Sequence, residues 1–400
     1  MIWHNNLLKG IFDGLVQIFL QERHAGQVVE KLLVKNKKWG SRDRAIVAST
    51  IYDIVRWKRL IQEISEISSI DEKTLWLLIG SWLVIAGQPL PEGEVFKNFS
   101  PDRILQAQKN NHFSRAIQAS IPDWFDQFGK EEFGSDWEKE LKALNREASI
   151  VLRANTLKID TSRLQHILKE EGIETIPIKS HPDALVLKIR RNVQTTKAFQ
   201  KGLFEIQDAS SQRVAPFLGI QPGMNIVDVC AGAGGKTLHL AALSQNKGRI
   251  TALDLSNSKL QELKKRARRS GARHIITRHI ETAQDILDLH HTADRLLIDA
   301  PCSGSGVLRR KPDMKWKSNL KLLQILRTQQ AILLKSYAPI LKPGGRMVYA
   351  TCSIWSSENE RQVEVFLANH TGYRLLDQEI ISPAQSGFDG FFISLLERLV

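Results

Sequence analysis

The stretch NIVDVCAGAGGKT, residues 225–237, decides the fold that we predict for this chain. It begins with an apolar run of strand length, residues 225–231, and passes through three glycines into a segment of helical character. Small residues between a strand and a helix let backbone N–H groups approach a ligand at the helix N-terminus. The stretch therefore predicts an α/β domain with a ligand-binding loop after its first strand.

The same loop narrows the class of ligand. Its GGKT ending is shared with phosphate-binding P-loops, but that motif needs a glycine five residues before Gly235, where this chain has Cys230. A P-loop NTPase is therefore excluded. The next strand ends at Asp254, 19 residues after Gly235, where an acid can accept hydrogen bonds from ribose hydroxyls. These features predict a cofactor that contains adenosine, either a dinucleotide or S-adenosylmethionine.

Strands and helices alternate along the rest of the C-terminal half. Apolar runs of strand length occupy residues 249–255, 295–301 and 345–352. Helix-like segments occupy residues 236–245, 258–270, 319–341 and 357–370. This alternation predicts a mostly parallel, doubly wound sheet in a domain that spans residues 206–400.

Two further domains are predicted upstream. Residues 5–130 place apolar side chains at intervals of three and four, which predicts an all-α domain over residues 1–140. Residues 141–205 contain SIVLRANTL, TSRLQHILKEEG and ALVLKI, which predict a strand, a helix and a strand in a small α/β module.

The charge of the chain indicates a polyanionic partner. Lys and Arg total 56 against 43 Asp and Glu, a formal net charge of +13 over 400 residues. A solubilising surface charge is the alternative explanation. The helical region carries cations of nearly uniform sign, which predicts an RNA-facing patch or, alternatively, an ordinary solvated face: Lys31, Lys35, Lys37, Lys38, Arg42, Arg44, Arg56, Lys58 and Arg59.

The cellular setting follows from segments that the sequence lacks. The N-terminus does not have the pattern of a signal peptide, and the uncharged stretch at residues 74–91 is interrupted by glycines and prolines, so no membrane association is expected. Three cysteines argue against a disulfide framework. We therefore expect a cytoplasmic protein with reduced thiols.

Two cysteines follow strands of the predicted sheet. Cys302 lies in DAPCSGSGVLRRKPDMKW, residues 299–316, and Cys352 lies in ATCSIWSSENE, residues 350–360. Open α/β sheets bind ligands at the carboxyl ends of their strands, so both thiols are expected to face one pocket together with Asp299. Burial of each cysteine in the core is the competing interpretation.

These motifs resemble the NOL1/NOP2/Sun family of RNA cytosine-C5 methyltransferases. DVCAGAGGKT is similar to the family's cofactor loop, although the commoner form has Ala-Ala-Pro at residues 231–233. DAPCSGSG, TCS with the following ENE, FEIQDASSQ and DGFFISLLER are similar to its other segments, so the resemblance extends from Arg146 to the C-terminus. KNKKWGSRDRAIVASTIYDIVRW resembles the NusB-like domain of bacterial RsmB-type enzymes, and LRANTL resembles the family's RRM-like module.

The resemblance implies a class I, Rossmann-like methyltransferase domain that uses S-adenosylmethionine and no metal. It implies structured RNA as the partner, 16S ribosomal RNA or a small-subunit assembly intermediate, and a monomer is favoured. The family usually has a Gly-Asp pair after the third strand, where this chain reads TRHIETAQDI, and Glu281 is the candidate replacement. The residues implied to hold the cofactor are Cys230, Ala231, Gly232, Ala233, Gly234, Gly235, Lys236, Asp254, Glu281 and Asp299.

The resemblance also implies a mechanism. Cys352 would add to C6 of the cytosine, Asp299 would bind the N3/N4 edge of the base, and Cys302 would assist loss of the C5 proton and release of Cys352. Lys236 is a candidate for lowering a thiol pKa. Three alternatives stay open: a DNA cytosine-C5 methyltransferase with Cys302 as nucleophile, a small-molecule methyltransferase, and a catalytically silent RNA-binding assembly factor.

Overall fold

The structure is a computed structural model that describes residues 3–97, 99–109 and 112–400. Its internal contacts divide the chain into two units. The helical unit comprises Met1–Asn145 and Leu308–Asn319, and the α/β unit comprises Arg146–Val307 and Leu320–Val400. The twelve residues from Leu308 to Asn319 therefore belong to the helical unit although they follow Cys302 closely in sequence.

The helices of the described residues are bounded as follows in chain order. Those up to Asn145 are α1 Asn5–Leu15, α2 Ala25–Lys35, α3 Ser41–Ile64, α4 Glu72–Ile85, α5 Pro101–Lys109, α6 Arg115–Gln118, α7 Asp123–Phe133 and α8 Trp137–Asn145. Those of the remaining chain are α9 Thr161–Glu170, α10 Lys197–Gln200, α11 Ala209–Phe217, α12 Gly235–Leu243, α13 Asn257–Ser270, α14 Met314–Lys317, α15 Leu320–Tyr337, α16 Glu360–Asn369 and α17 Pro383–Ser386.

The strands of the described residues form two sheets. Those of the first sheet are β1 Val151–Ala154, β2 Thr175–Ile178, β3 His181–Leu187 and β4 Phe204–Ile206. Those of the second sheet are β5 Asn225–Val229, β6 Arg249–Asp254, β7 Ile275–His279, β8 Ala293–Asp299, β9 Leu341–Thr351, β10 Tyr373–Ile381 and β11 Phe391–Arg398.

The helical unit is built on amphipathic helices. Leu8, Ile11 and Leu15 of α1 recur at helical spacing and are buried in the same core as Ile51 and Ile54 of α3. The capping of α4 is local, since Asp71 accepts from the Thr74 backbone N–H at 2.8 Å and Thr74 Oγ1 accepts from the Asp71 N–H. No helix among the described residues has both the length and the apolar character needed to span a membrane.

The segment Leu308–Asn319 is held by hydrogen bonds inside the helical unit. Lys315 is fully buried, and its Nζ donates to the carbonyl oxygens of Arg56, Ala119 and Ser120 and to Oδ1 of Asn145, at 2.6–3.3 Å. Trp316 Nε1 donates to the Val55 carbonyl at 2.7 Å. The segment thus supplies donors to backbone carbonyls after α6 and near the Trp57 break in α3, and to the side chain of Asn145 at the end of α8.

The first sheet has the strand order β2-β3-β1-β4, and every neighbouring pair is antiparallel. With α9 after β1 and α10 before β4, the order of elements is β-α-β-β-α-β, the arrangement of a ferredoxin-like domain. Leu152, Leu164, Leu185 and Phe204 form its core. The strand, helix and strand predicted for this module are present, and β2 and β4 complete the sheet.

The second sheet has the order β10-β11-β9-β8-β5-β6-β7. The neighbours from β9 to β7 are parallel, and β11 is antiparallel to both β9 and β10. Two buried clusters, one containing Val229 and Leu296 and the other containing Ile226 and Leu297, fill the two faces. This sheet confirms the predicted α/β, doubly wound fold and brings the ends of β5, β8 and β9 to one edge.

Candidate active site

The loop after β5 is shaped by residues in the left-handed backbone region. Cys230 has φ of 62°, Gly232 has 57°, and Gly234, which precedes α12, has 85°. Glycine adopts such angles readily, whereas a cysteine there is strained. A side chain at Gly234 would also collide with Leu263 of α13, because its Cβ would lie 2.6 Å from Cγ. The loop therefore turns tightly and starts α12 with its backbone close to the sheet.

Asp254, at the end of β6, closes this loop. Its Oδ2 accepts from the Gly232 N–H and its Oδ1 from the Ser256 N–H, both at 2.7 Å. Each carboxylate oxygen can accept a second hydrogen bond, so the group retains acceptor capacity toward a ligand hydroxyl. The structure thus places the acid expected to bind ribose directly against the glycine loop.

The residues around the loop fit an adenosine-containing, amino-acid-bearing cofactor. A Cβ placed on Gly235 would meet no atom within 4 Å, so the space beside the start of α12 is open. Asp228 is buried, and among the described residues no donor lies within hydrogen-bonding distance of its Oδ1. A ligand ammonium group or hydroxyl could satisfy such an oxygen, which suits the methionine portion of S-adenosylmethionine.

The ferredoxin-like module braces the loop through hydrogen bonds that the sequence did not reveal. Arg153 of β1 donates to the Gly235 carbonyl at 2.9 Å, and Arg266 of α13 donates to the Ala233 carbonyl at 2.8 Å. Glu205 of β4 holds Arg266 in turn at 2.8 Å. Arg266 lies in the run KKRARR, which in sequence resembles an ordinary solvated helix face. Only the tertiary fold distinguishes it from the exposed Arg268.

Cys302 and Cys352 meet at the carboxyl edge of the sheet. Their Sγ atoms are 3.3 Å apart and no disulfide joins them. The juxtaposition follows from topology, because β8 and β9 are parallel neighbours with Asp299 opposite Ala350, and each cysteine follows its strand within three residues. The structure therefore brings together the two thiols that the sequence placed in one pocket.

The three cysteines differ in their surroundings. A hydrogen bond with Cys352 and burial raise the pKa of Cys302 well above its usual value. Burial, together with the nearby carboxylates of Asp299 and Asp254, raises the pKa of Cys230 to about 12. Cys230 therefore keeps its proton at neutral pH, which makes it a poor nucleophile.

Lys236 is paired with a carboxylate. Its Nζ lies 2.7 Å from Oδ2 of Asp299 and 5.1 Å from the ring centroid of Phe391. Asp299 keeps about a third of its side chain exposed, so it remains accessible to a ligand. The lysine was expected to act on a thiol pKa, but its hydrogen bond goes to Asp299 and orients that carboxylate.

Glu281 lies two residues after β7 and points its carboxylate into solvent, with 77% of the side chain exposed. Its backbone N–H donates to Oδ2 of Asp285 at 2.8 Å. Asp285 also accepts from the Thr282 N–H and caps the following turn. Glu281 therefore lies near the expected end of the sheet, but the side chain that accepts the hydrogen bonds of that turn is Asp285.

The cations of the helical unit divide into two groups. Lys31, Lys35, Lys37, Lys38 and Arg42 are exposed. In contrast, Arg44 donates to the carbonyls of Leu33, Asn36 and Trp39, and Arg56 is buried and donates to those of Leu308 and Arg309. The sequence offers an RNA-facing patch or a solvated face for Arg44 and Arg56, but their guanidinium groups donate to backbone carbonyls of the unit itself.

No group of three or more His, Cys, Asp or Glu side chains suited to a metal ion occurs within the described residues. The geometry instead presents two thiols, a lysine-paired carboxylate and a glycine loop along one edge of the sheet.

Comparison with known proteins places these features in context. A family model described as "16S rRNA methyltransferase RsmB/F" matches residues 215–397, and one described as "Methyltr_RsmF/B-like, ferredoxin-like domain" matches residues 121–194. The probable ribosomal RNA small subunit methyltransferase B of Synechocystis is 35% identical over 314 residues, covering 74% of this chain and 70% of that protein. The ribosomal RNA small subunit methyltransferase B of Proteus mirabilis is 32% identical over 296 residues, covering 74% and 69%.

A solved structure extends the likeness to nearly the whole chain. The crystal structure of PH0851 matches with a TM-score of 0.84 at 26% sequence identity and covers 98% of both chains. The predicted RRM-like module and Rossmann-like domain are thereby confirmed as a ferredoxin-like domain and a methyltransferase domain.

Proposed function

Because the chain belongs to the RsmB/F family of 16S rRNA methyltransferases, part of the NOL1/NOP2/Sun family, we propose that it methylates C5 of a cytosine in small-subunit ribosomal RNA. The observation that carries the proposal is the pair of thiols, with Sγ atoms 3.3 Å apart, at the ends of adjacent parallel strands. S-adenosylmethionine, the cofactor of the family, supplies an electrophilic methyl group when bound.

C5 of cytosine needs covalent activation, since it is a weak nucleophile in the intact ring. We assign that step to Cys352: its thiolate forms a bond to C6, and the electron pair of the C5–C6 double bond moves toward N3 and C5. Loss of the C5 proton after methylation then restores the double bond as the bond between sulfur and C6 breaks. Cys302, whose Sγ lies 3.3 Å from that of Cys352, is assigned to this elimination.

Asp299 is assigned to the base. Its side chain is about a third exposed and is held by Lys236, so its carboxyl group is available to hydrogen-bond the N3/N4 edge of a cytosine. The target base must leave its stack to reach such a site. Lys236 therefore acts on the chemistry through Asp299.

Asp254, Asp228 and the loop from Cys230 to Lys236 are assigned to the cofactor. Asp254 would accept from ribose hydroxyls with its remaining lone pairs, and the open side of Gly235 would admit the methionine portion. Glu281, with its exposed carboxylate, is assigned to the adenine side. The fit rests on the unsatisfied Asp228 oxygen and on the space beside the loop.

The helical unit is proposed to bind RNA as a NusB-like domain. The exposed cations on and after α2, from Lys31 to Arg42, supply positive charge that is accessible to an RNA phosphate. Each phosphate that they neutralise would release counterions and make binding depend on salt. The net charge of +13 supports the same assignment.

Trapping the covalent complex between protein and RNA distinguishes the roles of the two thiols. With labelled 16S rRNA and S-adenosylmethionine, Cys302→Ala is expected to accumulate a covalent complex that migrates slowly in a denaturing gel and is sensitive to protease. Cys352→Ala is expected to give no such complex, because it lacks the nucleophile. Cys230→Ala, which removes the third cysteine but keeps both thiols of the pair, should accumulate no more of the complex than the wild type does.

The opposite pattern would contradict the assignment. A complex that persists in Cys352→Ala and disappears in Cys302→Ala would make Cys302 the nucleophile, the arrangement expected of a DNA cytosine-C5 methyltransferase. Parallel reactions with duplex DNA and with a small-molecule acceptor mixture test those substrate classes directly. Absence of methyl transfer to any RNA by the wild-type protein would contradict the proposed function.

A further inference from the structure

One acidic side chain links the two cysteine turns. Glu358 is fully buried, and its Oε1 accepts from the Ser303 backbone N–H at 2.8 Å. Its Oε2 accepts from the hydroxyl of Ser303 and, at 2.5 Å, from that of Ser353. Ser303 follows Cys302 directly, and Ser353 follows Cys352 directly. A single carboxyl group therefore contacts both turns beside the reactive sulfurs.

The surroundings of Glu358 are polar but uncharged. Its remaining side-chain partner is Gln330 of α15, whose Nε2 donates to Oε1 at 3.0 Å. None of the three partner residues is a cation, so within the part of the chain that the structure describes hydrogen bonds, rather than an ion pair, offset the cost of burying this acid. A buried acid maintained in this way indicates a role that an apolar side chain could not perform.

Neighbouring contacts complete a frame around the thiols. Ser305 Oγ lies 3.0 Å from Ser353 Oγ, and the Gly306 N–H donates to the Cys352 carbonyl at 3.0 Å. Asn359 accepts from the Thr351 hydroxyl and donates to the Ser353 carbonyl at 3.1 Å, which fixes the residues on both sides of Cys352. Glu358 is the member that reaches Ser303 on one turn and Ser353 on the other through one functional group.

We propose that Glu358 is a positioning residue that sets the separation and orientation of Cys302 and Cys352 by binding the serine after each of them. The inference rests on the proposed function, because it explains how two thiols with different roles are held at one base. Misplacement of reacting groups by about 1 Å can reduce the rate about 100-fold, so a frame of this kind has a direct catalytic consequence.

The charge of Glu358 acts in the same direction as its geometry. The pKa of Cys302 is raised most by its hydrogen bond with Cys352, then by burial and by the charge of Cys352. The negative charge of the Glu358 carboxylate raises it further. Because its pKa is raised, Cys302 keeps its proton, and its S–H can donate to the sulfur of Cys352, 3.3 Å away. The frame therefore supports the division of roles between the thiols as well as their distance.

The test compares Glu358→Gln with Glu364→Gln. The amide keeps the size of the side chain but replaces an acceptor with a donor that faces hydroxyl and N–H donors, whereas Glu364 is exposed on the adjoining α16. Thermal melting and calorimetry with S-adenosylmethionine verify folding and cofactor binding. Turnover on 16S rRNA and bridging of the thiols by dibromobimane, mapped by mass spectrometry, report the frame with and without RNA.

Glu358→Gln is expected to lose about 100-fold in kcat, to bridge its thiols more slowly and to bind S-adenosylmethionine as the wild type does, while Glu364→Gln matches the wild type throughout. Wild-type turnover or wild-type bridging in folded Glu358→Gln would overturn the proposal. If Glu358→Gln does not fold, Ser303→Ala and Ser353→Ala decide by the same two measurements. Wild-type protein that bridges its thiols but methylates no RNA would contradict the proposed function instead.

Discussion

Asp228 illustrates how one buried residue connects stability with the cofactor site. Burial raises its pKa to about 7, against an opposing hydrogen bond from Thr237 at 2.6 Å. Between the ordinary pKa of 3.8 and this value, the folded state binds a proton that the unfolded chain does not. The free energy of unfolding therefore falls as pH rises through this window, by about 1.4 kcal/mol per pH unit from this group.

Asp228→Asn removes the cost of ionising a buried carboxyl group in the folded state. Relative to the wild type, the variant should gain stability progressively as the pH is raised from 5 to 7, and the gain should then level off, because the amide never ionises. Urea denaturation of both proteins without cofactor measures their difference in free energy of unfolding at each pH. The contributions of the other titrating groups cancel in this difference. A stability difference that does not change with pH would show that Asp228 titrates normally.

The site residues that the sequence predicted are those in short, distinctive motifs. Cys302, Cys352 and Asp299 follow recognisable strands, so the edge of the sheet at which they meet was predictable. Arg153, Arg266 and Glu358 were not predicted as positioning residues, because their partners Gly235, Ala233 and Ser303 lie 33 to 82 residues away in no fixed pattern. Their roles arise from packing alone.

At the scale of elements, the loop that we propose to hold the cofactor is contacted from the neighbouring module. Arg266 links α13 to the loop through Ala233 and to β4 through Glu205, whose side chain is almost fully buried. Removing the guanidinium leaves the Ala233 carbonyl without this donor and leaves Glu205 with Arg269 as its remaining salt-bridge partner. A loop that is held less firmly has to be ordered by the ligand, which weakens binding.

Arg266→Ala is therefore expected to weaken S-adenosylmethionine binding by about 1–3 kcal/mol, as measured by calorimetry. Arg268→Ala, which removes the same charge from an exposed position on the same helix, should bind as the wild type does. Equal affinities for the two variants would show that the contact with Ala233 does not contribute to the loop's binding conformation.

The predicted and observed elements differ at the edges of the sheets. The central strands β5, β6, β8 and β9 were predicted because burial on both faces gives them continuous apolar runs. β10 and β7 form the two edges of the large sheet and are largely exposed, so their sequences lack such a run. β2 and β4, of four and three residues, are too short to show alternation.

On the scale of the whole molecule, the helical unit depends on a segment that is distant in sequence. Lys315→Met keeps the length and apolar stem of the side chain but removes the donors to the carbonyls of Arg56, Ala119 and Ser120. Each buried polar group that is left unpaired costs about 1–3 kcal/mol. Hydrogen exchange measured by mass spectrometry should become faster in α3 and α6.

Lys311→Met is the matched control, since Lys311 is an exposed lysine in the same segment. Its exchange rates in α3 and α6 should equal those of the wild type. Equal protection in Lys315→Met and Lys311→Met would show that the four oxygen atoms around the buried ammonium group do not require it.

The position of Leu308–Asn319 in the chain also has a consequence for biosynthesis. A ribosome releases α1 to α8 first, but Leu308–Asn319 is made only after the intervening residues 146–307. At about 5–20 residues per second, this interval lasts roughly 8–32 s. During that time the nascent helices lack the buried lysine and tryptophan that bind their carbonyls, so the first part of the chain to be translated is among the last to mature.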